Sequence, residues 1–262
     1  MEDNPKHSLG QHWLYDDTSL EAMVQAVHIK HDDTVLEIGP GLGTLTAKLV
    51  QTAKQVVSVE VDRELATELP NRVPADNLQV ISEDILKFDL GRMPPNYKVV
   101  ANLPYYLTSH ILRLLCESPT TFSEAALLVQ KEVAERVCAQ PGDCSLLTIS
   151  VQFYAETSLG MIVPARLFTP PPKVDSQILT LRFYQSPRYP DVDTKLFFRI
   201  VKAGFSQRRK TIVNSLSAGL RAERKTMLVI LEKAGINSGV RAQALSLDEW
   251  YDLYNVIKDQ LS

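Results

Sequence analysis

Apolar positions follow two rhythms over the first two-thirds of the chain. Short unbroken apolar runs rich in β-branched residues predict buried strands at Thr34–Ile38, Val56–Glu60, Leu78–Ser82, Lys98–Ala101 and Ala125–Val129. Helically spaced apolar residues between them predict helices at Leu45–Thr52, Arg63–Asn71, Leu107–Glu117 and Glu132–Ala139. Ahead of these, an irregular arm (Met1–Tyr15) leads into a helix over Asp16–Ile29. Thr18 or Asp17 can cap it, and Leu20, Met23, Val24 and Val27 share one face. Strands alternating with helices predict an α/β fold, a parallel sheet with crossover helices. Ser145–Tyr154 reads as helix, although Thr148, Ile149, Val151 and Phe153 also suit a strand. Leu159–Val163 and Ile178–Phe183 read as two closing strands around the Pro-rich Phe168–Val174, which predicts an antiparallel insertion at one sheet edge.

Past Gln185–Asp193, a linker with two prolines, the rhythm becomes purely helical: Leu196–Phe205, Arg209–Ala218, Thr226–Ala234 and Leu247–Leu261. Two domains follow, 1–186 and 187–262. Charge changes sign at the same place. Residues 187–262 carry 13 Lys and Arg against 8 Asp and Glu, a net of +5, whereas residues 1–186 carry 15 against 23, a net of −8. A basic helical domain beside an acidic one suits a polyanionic partner, or a solvated helical face.

The remaining composition narrows the class. With 262 residues and 45% hydrophobic content, the chain can bury a large core and a small one. Cys116, Cys138 and Cys144 form no Cys-x-x-Cys pair and do not cluster with histidine, so free thiols in a reducing compartment are expected and metal is not. No apolar run reaches membrane-spanning length. The polar, acidic MEDNPKHSLGQHW start fits neither a signal nor a transit peptide, so a cytoplasmic protein is expected.

Candidate chemistry begins at Thr34–Thr46, TVLEIGPGLGTLT. Gly39, Gly41 and Gly43 sit at every second position between a strand and a helix, where glycine permits backbone angles and close ligand approach that other residues do not. The spacing is not Gly-x-Gly-x-x-Gly, so a dinucleotide fingerprint is absent. Glu60 ends the second strand 21 residues after Gly39, where an acid can accept from a ribose diol; Asp84 follows the third strand. Acids after strands two and three, with no phosphate-binding lysine in the glycine turn, suit a nucleoside without a pyrophosphate. S-adenosylmethionine is such a ligand.

Asn102-Leu103-Pro104-Tyr105 follows the fourth strand, at the same crevice. An exocyclic adenine amine is a poor nucleophile because its lone pair is delocalised into the ring. The Asn102 amide oxygen and the Leu103 carbonyl can accept its two N–H groups, turning the lone pair toward a sulfonium methyl. Pro104 stiffens the turn, and Tyr105 can stack on an extruded base. Alignment and electrostatics supply most of such a rate.

These pieces belong to a wider resemblance. Ser8-Leu9-Gly10-Gln11-His12-Trp13-Leu14, Leu36–Thr46, Val59–Asp62, Asn102–Tyr105, Val129–Arg136, Phe168–Ser176 (FTPPPKVDS) and Phe205–Thr211 (FSQRRKT) span nearly the whole chain. Together they resemble the bacterial small-subunit (16S) rRNA adenine-N6,N6-dimethyltransferase family. The resemblance implies a class I (Rossmann-like) seven-stranded S-adenosylmethionine-dependent methyltransferase sheet with a small all-helical C-terminal domain. It also implies dimethylation of two adjacent adenines in the 3′-terminal hairpin of 16S rRNA, within an assembling small subunit, with release of S-adenosylhomocysteine; a monomer without metal is expected. By the same resemblance His12 and Leu14 cover the cofactor, Gly39 and Gly41 cradle it, and Glu60, Asp84 and Asn102 hold its ribose, adenine and methionine ends. Phe168 falls where a second wall for the target base is expected; a core Phe before a proline turn is the alternative.

The chain departs from the family at two places. His12 and Trp13 stand where Asn and Phe are common, and Asp143-Cys144-Ser145-Leu146 replaces a segment usually holding Tyr, so no role is transferred to it. His7, His28, His31 and His110 lie in no motif with an acid and a nucleophile and read as surface or capping residues. Arg208, Arg209 and Lys210, at a helix start in the basic domain, read as RNA-phosphate contacts. Two rivals stand beside the main reading: a large-subunit rRNA adenine methyltransferase of the antibiotic-resistance type, and a binding or assembly factor whose catalysis is secondary. Gly10-Gln11 and Pro40–Gly43 favour the small-subunit branch over the first; the intact Asn-Leu-Pro-Tyr argues against the second.

Overall fold

A computed structural model of the chain describes residues 11–118, 122–185 and 188–261. The motif residues Ser8, Leu9 and Gly10 and the expected boundary at 186/187 lie outside the described residues. Two compact units form, one from residues 1–135 and 155–185, the other from 136–154 and 186–262.

The first unit is built on seven paired strands: β2 (Thr34–Ile38), β3 (Gln55–Glu60), β4 (Leu78–Ser82), β5 (Tyr97–Asn102), β6 (Phe122–Gln130), β7 (Ala155–Val163) and β9 (Ser176–Phe183). Their order is β4-β3-β2-β5-β6-β9-β7. The pairs from β4 to β6 are parallel, whereas β6 with β9 and β9 with β7 are antiparallel, so the expected antiparallel insertion sits at that edge. Helix α1 (Asp17–Gln25) precedes β2, and helices α2 (Thr46–Thr52), α3 (Arg63–Arg72) and α4 (Thr108–Cys116) connect parallel strands. Asp16 caps α1 through the Ser19 N–H at 2.9 Å. Val35, Leu36, Val56, Val99 and Val100 are fully buried, as both-face coverage of a parallel sheet requires. The strand order reverses between β2 and β5, and ligands of open α/β sheets bind outside the strand carboxyl ends at such a switch.

The amino ends of the same strands are tied by a buried lysine. Lys98 donates to the Val27 and His28 carbonyls at 2.6 and 2.7 Å and pairs with Asp33 and Glu124 at 3.0 and 3.4 Å. Its charge is tolerated because each N–H finds an oxygen. A two-stranded piece, β1 (Trp13–Leu14) with β8 (Phe168–Thr169), folds the arm back, pairing Leu14 with Phe168.

The second unit holds α6 (Leu146–Gln152), α7 (Thr194–Phe205), α8 (Ile212–Leu220), α9 (Arg224–Lys233) and α10 (Leu247–Leu261), with α5 (Lys131–Val137) crossing the division. The domain division therefore differs from 1–186 and 187–262 in one segment. The segment from Arg136 to Tyr154 joins the helical unit, because Phe153 packs its ring against Phe197 (4.9 Å), Phe198 (5.3 Å, edge-on) and Tyr189 (5.9 Å). The ambiguous Ser145–Tyr154 stretch is helical. Ser145 and Thr148 form a reciprocal cap that selects helix over strand. Arg208, Arg209 and Lys210 lie in the exposed turn before α8, not in the helix, which starts at Ile212.

Candidate active site

The glycine turn leaves β2 with Gly39 at φ +68°, Gly41 at +56° and Gly43 at +86°. Gly39 N–H donates to the Val59 carbonyl at 2.9 Å, so the turn begins as an extension of the β2–β3 pairing. At Gly39 a Cβ would enter open space, with nothing within 4 Å. Only glycine takes this φ cheaply, and the bare backbone faces room for a ligand.

Glu60, at the carboxyl end of β3, is turned onto this loop. Its carboxylate accepts the Gly41 N–H at 3.2 Å and the Asp62 N–H at 2.9 Å. Burial pushes its pKa up; the Asp62, Gly41 and Val61 amides oppose that, and the Asp62 charge adds to it. Behind it lies an acid that pattern reading passed over. Glu37, fully buried in β2, accepts from Ser58 Oγ at 2.6 Å and Thr46 Oγ1 at 2.8 Å. Burial raises its pKa to about 7, the two hydroxyls opposing and the Glu60 charge adding. A signal was present: Glu37 is the one charged residue inside TVLEI. Asp84, past β4, accepts the Leu86 N–H at 3.0 Å.

The arm closes another side. Thr44 Oγ1 donates to the Leu14 carbonyl at 2.9 Å. The Trp13 indole lies over Gly41, where an added Cβ would sit 3.6 Å from Nε1; that Nε1–H is buried without a hydrogen-bond partner among the described residues. His12 Nδ1–H donates to the Pro170 carbonyl at 2.7 Å, which fixes the ring.

The turn after β5 carries Asn102, Leu103, Pro104 and Tyr105. Leu103 N–H donates to the Leu128 carbonyl at 3.1 Å, anchoring the turn to β6. Asn102 Nδ2 donates to the His12 carbonyl at 3.2 Å, so the amide's other end, Oδ1, is left as the acceptor. The Tyr105 ring stacks on His12, centroids 5.8 Å apart at 25°, and its hydroxyl shares a 2.8 Å hydrogen bond with Ser176 Oγ. Burial raises the Tyr105 pKa, with the Ser176 bond opposing and the Asp175 charge adding. Ser176 is a second group that sequence reading left without a role.

One cavity of about 110 Å³, wholly within the first unit, is lined by His12, Leu14, Gly39, Gly41, Glu60, Asp84, Asn102, Leu103, Pro104, Tyr105 and Phe168. Phe168 is 3% exposed and packs with Leu14 and Leu20 in the core, so it belongs to that wall as a core residue. Arg208, Arg209 and Lys210 are exposed in the helical unit, where Arg208 lines a separate cavity with Arg136, Arg241, Gln207 and Asp143. Among the described residues no group of three His, Cys, Asp or Glu is placed to hold a metal ion, and no helix is long and apolar enough to cross a membrane.

A mixed seven-stranded sheet with a glycine turn, a strand-end acid and a polar Asn-Leu-Pro-Tyr turn at its switch point defines a class I methyltransferase. Two solved structures share this architecture across nearly the whole chain. A dimethyladenosine transferase from Plasmodium falciparum aligns with TM-score 0.81 at 28% identity, covering 95% of this chain and 98% of that one. The 23S rRNA methyltransferase ErmE aligns with TM-score 0.76 at 29% identity, covering 94% and 99%. Residues 2–259 match the family described as ribosomal RNA adenine dimethylase. Relatives called ribosomal RNA small subunit methyltransferase A are 43% identical in Dehalococcoides mccartyi (94% of this chain, 86% of the relative) and 39% identical in Clostridium botulinum (97% and 94%). The chain belongs to the ribosomal RNA adenine dimethylase family.

Proposed function

We propose that the chain transfers methyl groups from S-adenosylmethionine to the N6 amines of two adjacent adenines in the 3′-terminal hairpin of 16S rRNA, giving N6,N6-dimethyladenosine as the small subunit assembles. The observation that carries this is the Asn102–Tyr105 turn facing the same cavity as Glu60 and the glycine turn. Sequence relatives named for the small subunit favour that substrate over the large-subunit reading.

The residues fit this cofactor. Open space at Gly39 admits a ligand to the backbone, Trp13 Nε1–H is a buried donor without a partner among the described residues, and Glu60 and Asp84 are carboxylates at the cavity. Bound S-adenosylmethionine supplies an electrophilic sulfonium methyl and leaves as S-adenosylhomocysteine. Glu60 accepts from the ribose diol, Asp84 from the adenine amine, and the arm residues His12 and Leu14 wall the site. Tyr105 stacks on the extruded target base and Phe168 backs it. In the first transfer Asn102 Oδ1 and the Leu103 carbonyl accept the two N6–H bonds, and in the second one of them accepts the N–H that remains, which draws the nitrogen lone pair out of the ring. The proton then becomes acidic as the nitrogen is alkylated, so neither a strong base nor a metal is called for. Most of the acceleration comes from alignment and electrostatics.

Arg208, Arg209 and Lys210 contact RNA phosphates from the helical domain. The protein works in the cytoplasm as a monomer. The test is primer extension across the small-subunit 3′ hairpin in cells with and without the protein. Two adjacent stops that depend on its presence are expected; an unmethylated hairpin in both strains would overturn the reading.

A further inference from the structure

Tyr105 and Tyr106 are neighbours in one short turn, yet the structure treats them differently. Tyr105 is held by His12 and Ser176. Tyr106 lines the same cavity but is 55% exposed, and its side chain makes no hydrogen bond or ring contact among the described residues. It is therefore a ring at the cavity mouth, half in solvent, four positions past Asn102 on a turn anchored to the sheet. A bare aromatic face costs solvation and adds nothing to the core.

The site demands a ligand for such a face. A base that enters to meet Asn102 leaves its stack, and the flanking nucleotide is left with one face uncovered at the mouth. An aromatic side chain there replaces the missing stacking whatever the base. We propose that Tyr106 is the stacking platform for the nucleotide next to the target adenine, a positioning residue that holds the strand while one base is inserted. This rests on the function proposed above.

The test is single-turnover methyl transfer to immature small subunits carrying either the natural adenine pair or uridine in place of one adenine, in each order. Uracil has the smaller stacking surface. With the adenine pair, Tyr106→Ala is expected to lower the rate at limiting subunit concentration about 10-fold, the scale of one base–aromatic stack, and Tyr106→Phe to restore it. With uridine as neighbour the wild-type rate itself falls, and the Tyr106→Ala loss shrinks to no more than about threefold, because less stacking is there to remove. Calorimetric affinity for S-adenosylmethionine is expected to be equal in all three proteins. An equal Tyr106→Ala loss on both substrates would overturn the platform, since the ring would then contact something other than the flanking base. So would full activity of Tyr106→Ala, or failure of Tyr106→Phe to rescue. Transfer that ignores Tyr106 refutes this inference alone; no transfer by the wild-type protein to any of the subunits refutes the parent function with it.

Discussion

Replacing Glu37 with Gln isolates a single buried titration. The carboxyl is fully buried beside Ser58 and Thr46, and its pKa rises from 4.5 to about 7, chiefly through burial. The folded protein therefore keeps the Glu37 proton to higher pH than the unfolded chain does. Between about pH 4.5 and about 7 the folded state binds more protons, so this group makes stability fall as pH rises, and its effect is flat above that window. At about 1.36 kcal/mol for each pH unit of that window, the accumulated loss is about 3 kcal/mol. Gln has nearly the same shape and cannot ionise, and the two hydroxyls can rotate to accept from its amide. The stability difference between Glu37→Gln and wild type should thus move by about 3 kcal/mol in favour of the variant across the window. Any fixed offset from imperfect amide geometry cancels in that change. The assay is urea unfolding by circular dichroism at intervals across the window and one step above it. Parallel pH profiles for the two proteins would refute the buried-acid argument.

Gly43 sits at φ +86°, and a Cβ there would approach Leu69 Cδ1 to 2.7 Å and Val73 Cγ2 to 2.8 Å, so Gly43→Ala should cost about 2 kcal/mol of stability from backbone strain and overpacking. Thermal unfolding checks this, and an unchanged midpoint would contradict it. Asn102→Ala should slow methyl transfer about 100-fold, the scale of one preorganised polar group, with binding to immature subunits little altered. Near-wild-type single-turnover rates would reject the alignment mechanism. Converting Arg208, Arg209 and Lys210 to Ala should weaken RNA binding and flatten its salt dependence by about one unit of log–log slope for each phosphate the variant no longer neutralises, leaving cofactor affinity intact. An identical slope would mean that these cations face away from the RNA.

What could be read in advance was what depends on neighbours in sequence. The strand, glycine turn and helix at Thr34–Thr46, the acid closing β3 and the Asn-Leu-Pro-Tyr turn after β5 are each local patterns. A parallel α/β sheet brings all strand carboxyl ends to one edge, so locating the strand ends also brought Gly39, Glu60, Asp84 and the Asn102–Tyr105 turn to one cavity. The helical character of residues 194–261 was legible for the same reason: apolar spacing declares element type.

Choices made between distant segments were not legible. The arm is held by His12 to Pro170 and Leu14 to Phe168, partners more than 150 residues away. Arg136–Tyr154 joins the helical unit because Phe153 finds the rings of Phe197 and Tyr189 there, although its own pattern would have served either unit. Lys98 reads only as the first residue of a strand until Asp33, Glu124 and two carbonyls enclose it. Glu37 looks like any carboxylate until the sheet removes water from it. Local periodicity is written in the chain itself, whereas shape complementarity and desolvation exist only between surfaces that folding has brought together. That is why element type and the site's position belonged to the sequence, and pairing partners and charge states to the tertiary structure.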